Sequence, residues 1–354
     1  MNLHLVVPGS VADPAAPTGG SVYDRRVAVA LAEQGWSVRE HRVAGGWPRS
    51  DDAARAGLAD VLAGLPAGSL ALIDGIVASA APAQLAAHAG RLRLVALVHM
   101  LFGADADDLR AAERTALSTV DAVVTTSGWS RARLVADYAL PRDRIHVVPP
   151  GVDPAPVATG SPSGANLLCV AVVAPHKGHD VLVAALARLG GLAWRCVCVG
   201  ATHRDPDFAA RVRGEAWVNG IAERLTFAGP ATGPALAARY AAADLLVLPS
   251  RGETYGMVVA EALARGIPVL ASDVGGVPEA LGGVPGRAPG LLVPPDDPDA
   301  LAGALRRWLT DPVLRGGLRE SARARRAAQT GWAEAARVLS RALTGLPSTA
   351  GAGR

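Results

Sequence analysis

Residues 245–261 read LLVLPSRGETYGMVVAE, and the order of chemistry along them decides the fold. An apolar run of strand length leads into a short polar turn, and a helical pattern starts on a glycine. Two glutamates, Glu253 and Glu261, stand eight positions apart around that glycine. At about 100° per residue, eight helical steps leave two side chains roughly 80° apart. The pair makes more sense with Glu253 in the loop and Glu261 on the helix, so that they approach one ligand from two sides. The backbone N–H groups of Gly256, Met257 and Val258 then form the helix start, a place that attracts phosphate.

Working outward from this stretch, the next signal is a count of one. Of 35 Lys and Arg residues only Lys177 is a lysine, and the other 34 are arginines. Where arginine serves for every ordinary surface cation, a single retained lysine suggests a site that needs a compact ammonium on a flexible stem. Lys177 lies in Ala174-Pro175-His176-Lys177-Gly178-His179-Asp180, between the apolar run 167–173 and the helical run 181–189. A lysine at a strand end, followed by glycine and a helix, is well placed to bind a diphosphate.

These segments resemble glycosyltransferase family 4, the retaining, nucleotide-sugar-dependent enzymes. The resemblance runs through PHKGHD, AAADLLVLPSRGETYGMVVAEALARGIPVLASDVGGVPEAL and GLLVPPDDPDAL. It continues more weakly in the first half, through PTGG, LVALVHM, VVTTSGWSRARL and VVPPGVD. It implies the GT-B fold, two Rossmann-like doubly wound parallel-sheet domains facing a central cleft. It also implies transfer of a hexose-type sugar from a nucleoside-diphosphate sugar, a UDP-sugar being favoured, to a hydroxyl acceptor. The nucleotide sugar is then a co-substrate, with no cofactor and no metal expected.

By the same resemblance, His99, Lys177 and Glu253 are the candidate catalytic residues. Gly19, Gly20, Lys177, Arg251, Glu253, Tyr255, Gly256, Met257, Val258 and Glu261 are the candidate donor-binding set. His99 stands at a strand terminus and is similar to a family histidine that touches the donor sugar. Glu253 is similar to the glutamate near the sugar and Glu261 to the one that binds ribose. Thr18-Gly19-Gly20 resembles the glycine loop after the first strand, and Gly275-Gly276 a second glycine loop facing the donor. The family pairs its lysine with an arginine five positions earlier; here that position is Val172. Arg251 and Arg204 are the candidates to supply the missing cation.

The residues read without the family support the same architecture. Apolar and amphipathic runs alternate along the chain, which predicts βα units, parallel sheets and right-handed crossovers. Strands are expected at 3–7, 38–43, 70–73, 92–98, 122–125 and 145–148, and in the second half at 166–173, 194–199, 225–227, 245–248, 268–271 and 291–293. Helices are expected at 21–34, 52–63, 82–89, 105–118 and 130–138, then at 179–189, 206–219, 234–242, 256–265, 277–281 and 298–310. Residues 1–150 form the first domain, the acceptor side in the resembling family. A Pro-, Gly- and Ser-rich linker covers 151–165, and 166–312 form the donor-side domain. An Arg- and Ala-rich stretch over 313–344 reads as two helices broken near Thr330-Gly331, which in the family return toward the first domain. Its arginines read as a solvated helix face, with contact to an anionic membrane surface the less favoured reading. Residues 345–354 read as a disordered tail.

Composition excludes other classes. Net charge is +3, with −1 over residues 1–150 and +4 over the remainder, too weak a field to argue for nucleic acid. Aromatic residues make up only 4% of the chain, which argues against a stacking platform for bases. No apolar run is long enough to span a bilayer and no signal sequence opens the chain, so a cytoplasmic protein is expected. Cys169, Cys196 and Cys198 lie in apolar runs without zinc spacing and read as core residues. No GxGxxG follows a strand, which disfavours a dinucleotide oxidoreductase. The alternative readings are a nucleotide-sugar epimerase on a similar fold and a non-catalytic nucleotide-sugar-binding protein.

Overall fold

The computed structural model describes residues 1–13, 17–102, 107–283 and 287–346. The elements follow in chain order: β1 Asn2–Pro8, α1 Gly19–Glu33, β2 Ser37–Val43, α2 Asp52–Ala63, β3 Leu70–Asp74, α3 Gly75–Ala78, α4 Pro82–Ala86, β4 Arg93–Val98, α5 Asp107–Thr119, β5 Ala122–Thr125, α6 Gly128–Tyr138 and β6 Ile145–Val147. Then come β7 Asn166–Val170, α7 His179–Ala187, β8 Arg195–Val199, α8 Pro206–Val218, β9 Leu225–Phe227, α9 Gly233–Ala241, β10 Leu245–Leu248, α10 Met257–Leu263, β11 Val269–Ser272, α11 Val277–Leu281, β12 Gly290–Val293, α12 Pro298–Thr310, α13 Pro312–Ala327 and α14 Trp332–Thr344. The expected strands and most expected helices are present, with ends that shift by a few residues. Short α3, which follows β3 without a loop, carries too little periodicity to be read from sequence. The helix expected from residue 105 and the tail expected over 345–354 fall partly outside the described residues.

The chain divides into two compact units. Of the described residues, unit 1 takes those within 1–13, 18–151 and 331–346, and unit 2 takes Pro17 and those within 152–330. Among the described residues each holds one six-stranded sheet, ordered β2-β1-β3-β4-β5-β6 in unit 1 and β12-β11-β10-β7-β8-β9 in unit 2. All strand pairs are parallel. Covered on both faces, such strands become continuous apolar runs. β3 (LALID) and β10 (LLVL) are buried at every position.

Strand alternation sorts unit 2's sheet into two cores. Leu245 and Val247 face the core with Leu182, Phe208 and Trp308, while Leu246 and Leu248 face the one with Val259, Leu263 and Val277. Cys169, Cys196 and Cys198 all belong to the first of these cores. Asp-Pro steps open three of the helices: Asp205, Asp297 and Asp311 cap α8, α12 and α13, with proline in the first turn.

The two C-terminal helices part company. α14 belongs to unit 1, where the Trp332 ring meets Tyr23 edge-on at 5.6 Å and Gln34 donates to the Ala333 carbonyl at 2.7 Å. Where the chain leaves and re-enters this unit, a Cβ on Gly151 would lie 2.3 Å from the Trp332 nitrogen, so the two backbones touch only because residue 151 is glycine. α13, expected to return with α14, stays in unit 2. Four of its five arginines, Arg315, Arg319, Arg325 and Arg326, bond back to the protein, and exposed Arg323 keeps to the solvated face read from sequence. Arg315 donates to the last carbonyls of α12, Arg325 to Leu281, and Arg326 to Ala264 and Ala155. Apart from Ala155 in the linker, these are carbonyls at or near helix C-termini, where the helix itself supplies no partner.

Arg319 reaches Asp244, whose buried carboxylate also receives the Asn166 N–H at 2.9 Å, the Ser161 hydroxyl at 2.6 Å and the Ser161 N–H. One carboxylate thereby ties the linker, the start of β7 and α13 together. Asp244→Ala should lower the unfolding free energy by about 3 kcal/mol, because it strands these donors and a partly buried guanidinium. Urea unfolding followed by circular dichroism measures this, and a change below about 1 kcal/mol would show that the knot contributes little.

Candidate functional site

Each sheet has a point where successive crossovers leave in opposite directions, and ligands of open α/β sheets bind beyond the strand C-termini there. In unit 2 that point lies between β7 and β10, neighbours at the middle of the sheet. The loops leaving those two strands carry Lys177 and Glu253. Lys177 ends a single 3₁₀ turn, Pro175–Lys177, and Gly178 follows at φ 68°. A Cβ at Gly178 would fall 2.0 Å from the Pro249 carbonyl, so only glycine lets this turn lie against the loop after β10.

The two loops meet in an ion pair that sequence reading did not anticipate. Lys177 Nζ lies 2.7 Å from Glu253 Oε1, and the Ser250 hydroxyl donates to the same oxygen at 2.8 Å. The Lys177 and Glu253 side chains are 18% and 12% exposed, accessible enough for a ligand yet too buried for full solvent screening. The 253–254 backbone rests on the second glycine pair. Gly276 N–H donates to the Glu253 carbonyl at 3.0 Å, and a Cβ on Gly275 or Gly276 would come within 1.7 or 2.2 Å of the carbonyls of Glu253 and Thr254. The glycines expected to face a donor directly thus support the loop that carries Glu253.

Arg251 does not stand ready as a spare cation. It makes a bidentate pair with Asp180 at 2.9 and 3.0 Å, a 2.5 Å contact with Asp296, and a bond to the Pro175 carbonyl. Burial works against the Asp180 carboxylate, and the Arg251 bonds outweigh it, holding that carboxyl below its usual range. The guanidinium is committed to the turn before Lys177, the first turn of α7 and the loop after β12. Arg204 lies exposed in the loop after β8, and Val172 leaves the fifth position before Lys177 without charge.

Beyond Glu253 the backbone passes through Gly256 at φ 90° into α10, with half-buried Tyr255, Met257 and Val258 around the turn. Glu261 follows on α10, where the buried Tyr240 hydroxyl donates to Oε2 at 2.7 Å. Burial raises the Glu261 carboxyl above its usual range, against the opposing pull of Tyr240 and Arg265. Arg265 donates to the Glu261 backbone carbonyl at 2.8 Å and lies 4.5 Å over the Tyr240 ring, so the simple i,i+4 carboxylate pair is not formed.

In unit 1 the crossovers diverge between β1 and β3. His99 follows the last residue of β4, and its Nε2 lies 2.7 Å from Asp24 Oδ1 on α1 and 4.0 Å from Asp74 Oδ2 at the end of β3. Gly19 and Gly20 open α1 behind the Thr18 cap, which accepts from Ser21 N–H at 3.1 Å. A Cβ on Gly20 would come 3.0 Å from His99 Cδ2. The space left by this glycine is therefore filled by the histidine, whereas the sequence suggested an open glycine loop. Burial raises the Asp24 carboxyl to about 7, raises that of Asp74 as well, and lowers the His99 imidazole.

Sequence reading missed Asp24, Asp74, Asp180, Ser250 and Tyr240. Two of them left a trace. Asp74 is an acid at the C-terminal end of an apolar run, and Asp24 shares the i, i+3, i+7 stripe of Val27 and Leu31 that packs inward. Among the described residues, two clusters bring together the atoms an ion needs: Asp24, Asp74 and His99, and the core trio Cys169, His179 and Cys198. In the second, Cys169 Sγ lies 3.8 Å from His179 Nε2. Contact with Cys198 and burial push the Cys169 thiol up; the Cys169 contact pulls the Cys198 thiol down, but Cys196 and burial outweigh it.

Two doubly wound, six-stranded parallel sheets are the architecture of the GT-B glycosyltransferases. Residues 17–156 match the family model described as Glycosyltransferase Family 4, and residues 164–311 match Glycosyl transferases group 1. The chain belongs to glycosyltransferase family 4.

Similar curated proteins include the D-inositol 3-phosphate glycosyltransferase of Jonesia denitrificans, 37% identical over 215 residues, which cover 55% of this chain and 50% of that protein. The protein of the same name from Nocardia farcinica is 36% identical over 248 residues, covering 64% and 53%. The chain thus spans about half the length of the curated relatives it matches. Among solved structures, sucrose-phosphate synthase from Thermosynechococcus elongatus is 25% identical with a TM-score of 0.79, covering 96% of this chain and 98% of that one. Anabaena HepE in complex with UDP-glucose shares the fold at a TM-score of 0.79 and 18% identity, covering 98% and 100%.

Arg251→Ala should act first on stability, removing about 2 kcal/mol through the lost charge-assisted bonds to Asp180 and Asp296. Chemical denaturation checks this. Unchanged stability combined with a large loss of UDP affinity by calorimetry would instead return Arg251 to the ligand.

Proposed function

We propose that the chain transfers a hexose-type sugar, with retention at the anomeric carbon, from a nucleoside-diphosphate sugar to a hydroxyl acceptor. A UDP-sugar is the favoured donor. The observation that carries the reading is the Lys177–Glu253 pair at the switch point of unit 2, with the Tyr240-held carboxylate of Glu261 further along the same chain segment. Family membership supports the reaction class, and the resemblance to family 4 supports retention. The relatives' name makes inositol 3-phosphate a first acceptor to try among small-molecule, glycan and lipid-linked candidates. No helix among the described residues is long and apolar enough to cross a membrane, and a cytoplasmic site of action is part of the proposal.

The chemistry follows from the charges. An arriving diphosphate competes with Glu253 for the Lys177 ammonium. Once it takes the ammonium, the freed carboxylate is an acceptor for sugar hydroxyls. Lys177 then stabilises the charge that grows on the leaving phosphate oxygen, the electrostatic task that dominates such a transfer. Glu261 accepts hydrogen bonds from the ribose hydroxyls. This scheme assigns the diphosphate to protein groups and uses neither metal nor cofactor.

Incubation with UDP-glucose and an acceptor panel, followed by mass spectrometry, tests the proposal. UDP release with a glycosylated product is expected, and with donor alone only slow UDP release without conversion to an epimer. Failure of UDP-, GDP- and dTDP-sugars alike to bind would overturn it. Lys177→Ala should weaken UDP binding roughly tenfold to a hundredfold, the value of a lost hydrogen bond between charged groups. Glu253→Gln should bind free UDP at least as tightly as the parent, since it removes the internal competitor, while its transfer rate falls. Glu261→Gln should weaken both UDP and the intact donor. Calorimetry with UDP and UDP-glucose separates the three, and a Glu253→Gln variant that loses UDP affinity would contradict the competition.

A further inference from the structure

Glu113 stands on the inward stripe of α5, where its companions at i+3, i+4 and i+7 are the buried apolar residues Ala116, Leu117 and Val120. Glu113 is itself fully buried. A carboxylate in such a place is costly unless hydrogen bonds replace its water. Donors reach it from three separate segments. The Ser79 hydroxyl, at the end of α3, donates to Oε1 at 3.0 Å. The Tyr138 hydroxyl, at the end of α6, donates to Oε2. The Phe102 backbone N–H is shared between the two oxygens, 3.4 Å from Oε1 and 3.2 Å from Oε2. These donors lie in the segments that follow β3, β4 and β5, three neighbouring strands of the sheet. Two of the segments begin with groups of the switch-point cluster. Asp74 closes β3 and runs directly into α3, which ends at Ser79; His99 follows β4 and leads to Phe102.

We infer that Glu113 is a positioning residue: its buried carboxylate fixes the segment 99–102 and, through it, the place of the His99 ring. The segment is short, and it is held along its length. At its start, His99 Nε2 lies 2.7 Å from Asp24 Oδ1. In its middle, Leu101 packs against the unit 1 core. At its end, the Phe102 N–H rests on Glu113. The second anchor of the carboxylate works in the same frame. A Cβ on Gly75 would come 3.0 Å from the Leu97 carbonyl oxygen and from Val98 Cα, so α3 lies against the end of β4 only because residue 75 is glycine. The Ser79 bond holds the far end of that helix, whose first neighbour Asp74 has Oδ2 4.0 Å from His99 Nε2. A carboxylate suits the task, since bonds to a charged acceptor are roughly twice as strong as neutral ones and two oxygens serve three donors. In the proposed function His99 is the candidate contact to the transferred sugar, and Glu113 acts on that sugar only through it. This last step rests on the proposed function; the anchoring of the segment does not.

Amide hydrogen exchange of the full chain, read by NMR well below the unfolding temperature, tests the anchoring without substrate. The Phe102 amide should be protected in the parent, and free exchange there would overturn the proposal. Glu113→Gln keeps the size of the side chain but loses its charge and one acceptor oxygen. It should speed exchange at Phe102 about threefold to tenfold, the difference between a charge-assisted bond and a neutral one, and leave Leu94 to Val98 of β4 at the parent's rates. Glu113→Ala should speed Phe102 by more than about tenfold. Unchanged exchange at Phe102 in the variants would overturn the anchoring. Equal acceleration throughout β4 would overturn it too, by reducing Glu113 to a general stabiliser of the unit. Should Glu113→Ala fail to fold, Glu113→Gln decides alone. Release of UDP from UDP-glucose then tests the positioning. Counted per folded molecule, turnover should fall roughly tenfold to a hundredfold in Glu113→Ala and less in Glu113→Gln, with donor KM and UDP affinity unchanged, as expected when a group at the reacting centre is displaced by about an ångström. Parental turnover in a Glu113→Gln protein whose Phe102 amide exchanges faster would overturn the positioning role. Absence of turnover in the parent would tell against the functional reading, and exchange at Phe102 would still decide the anchoring.

Discussion

Lys177 and Glu253 lie 76 positions apart in sequence and touch at 2.7 Å, and much of unit 2 is arranged so that they can. Each sits one short loop beyond a strand, and the strands are neighbours only because the chain crosses over twice in opposite directions. The contact then requires two backbones to approach more closely than any side chain allows. Gly178 lets the lysine turn lie on Pro249, and Gly275-Gly276 let a third loop press against the glutamate's own peptide groups. Arg251 spans the lysine turn, α7 and the loop after β12. The ion pair is thus held by rigid neighbours, and little of its cost is the ordering of two free side chains.

The same contact explains how a site with one lysine handles two charges of opposite sign. The ammonium is neutralised by a carboxylate from its own unit, so neither charge is left partly buried and alone. A ligand bearing both an anion and hydroxyl donors can replace both halves of the pair. An anion alone can replace only one half and leaves Glu253 uncompensated. Under the proposed function, the pairing itself would favour an intact nucleotide sugar over a bare phosphate. At its own switch point unit 1 instead gathers two carboxyl groups and an imidazole, those of Asp24, Asp74 and His99.

The sequence made the architecture legible because parallel strands covered on both faces must be continuously apolar, and because Asp-Pro steps and glycines mark where helices begin and turns tighten. The loop position of Glu253, the helical position of Glu261 and the strand-end position of His99 were legible for the same reason. The partners of Arg251 were not legible, since an arginine two residues from a candidate glutamate looks the same in sequence whether it faces a ligand or a half-buried aspartate. The neighbour of Gly20 was not legible either, because a missing side chain does not say whether a ligand or a histidine ring lies beside it. The arginines of α13 resembled a solvated face because their carbonyl partners carry no sequence signal at all.

By itself the amino-acid sequence determined two βα-alternating halves, the linker between them, and which residue types stand at strand ends. These follow from local patterning, where hydrophobic period and turn chemistry act over a few residues. Only the tertiary structure decided which of those residues meet. The Lys177–Glu253 pair, the commitment of Arg251 to Asp180, the Tyr240 bond to Glu261 and the Asp24–Asp74–His99 cluster join positions 21 to 76 residues apart. Their partners are set by strand order and by close backbone approach at glycine. A strand's period places a side chain on a face, but the crossover that brings a distant strand beside it selects the group it will touch.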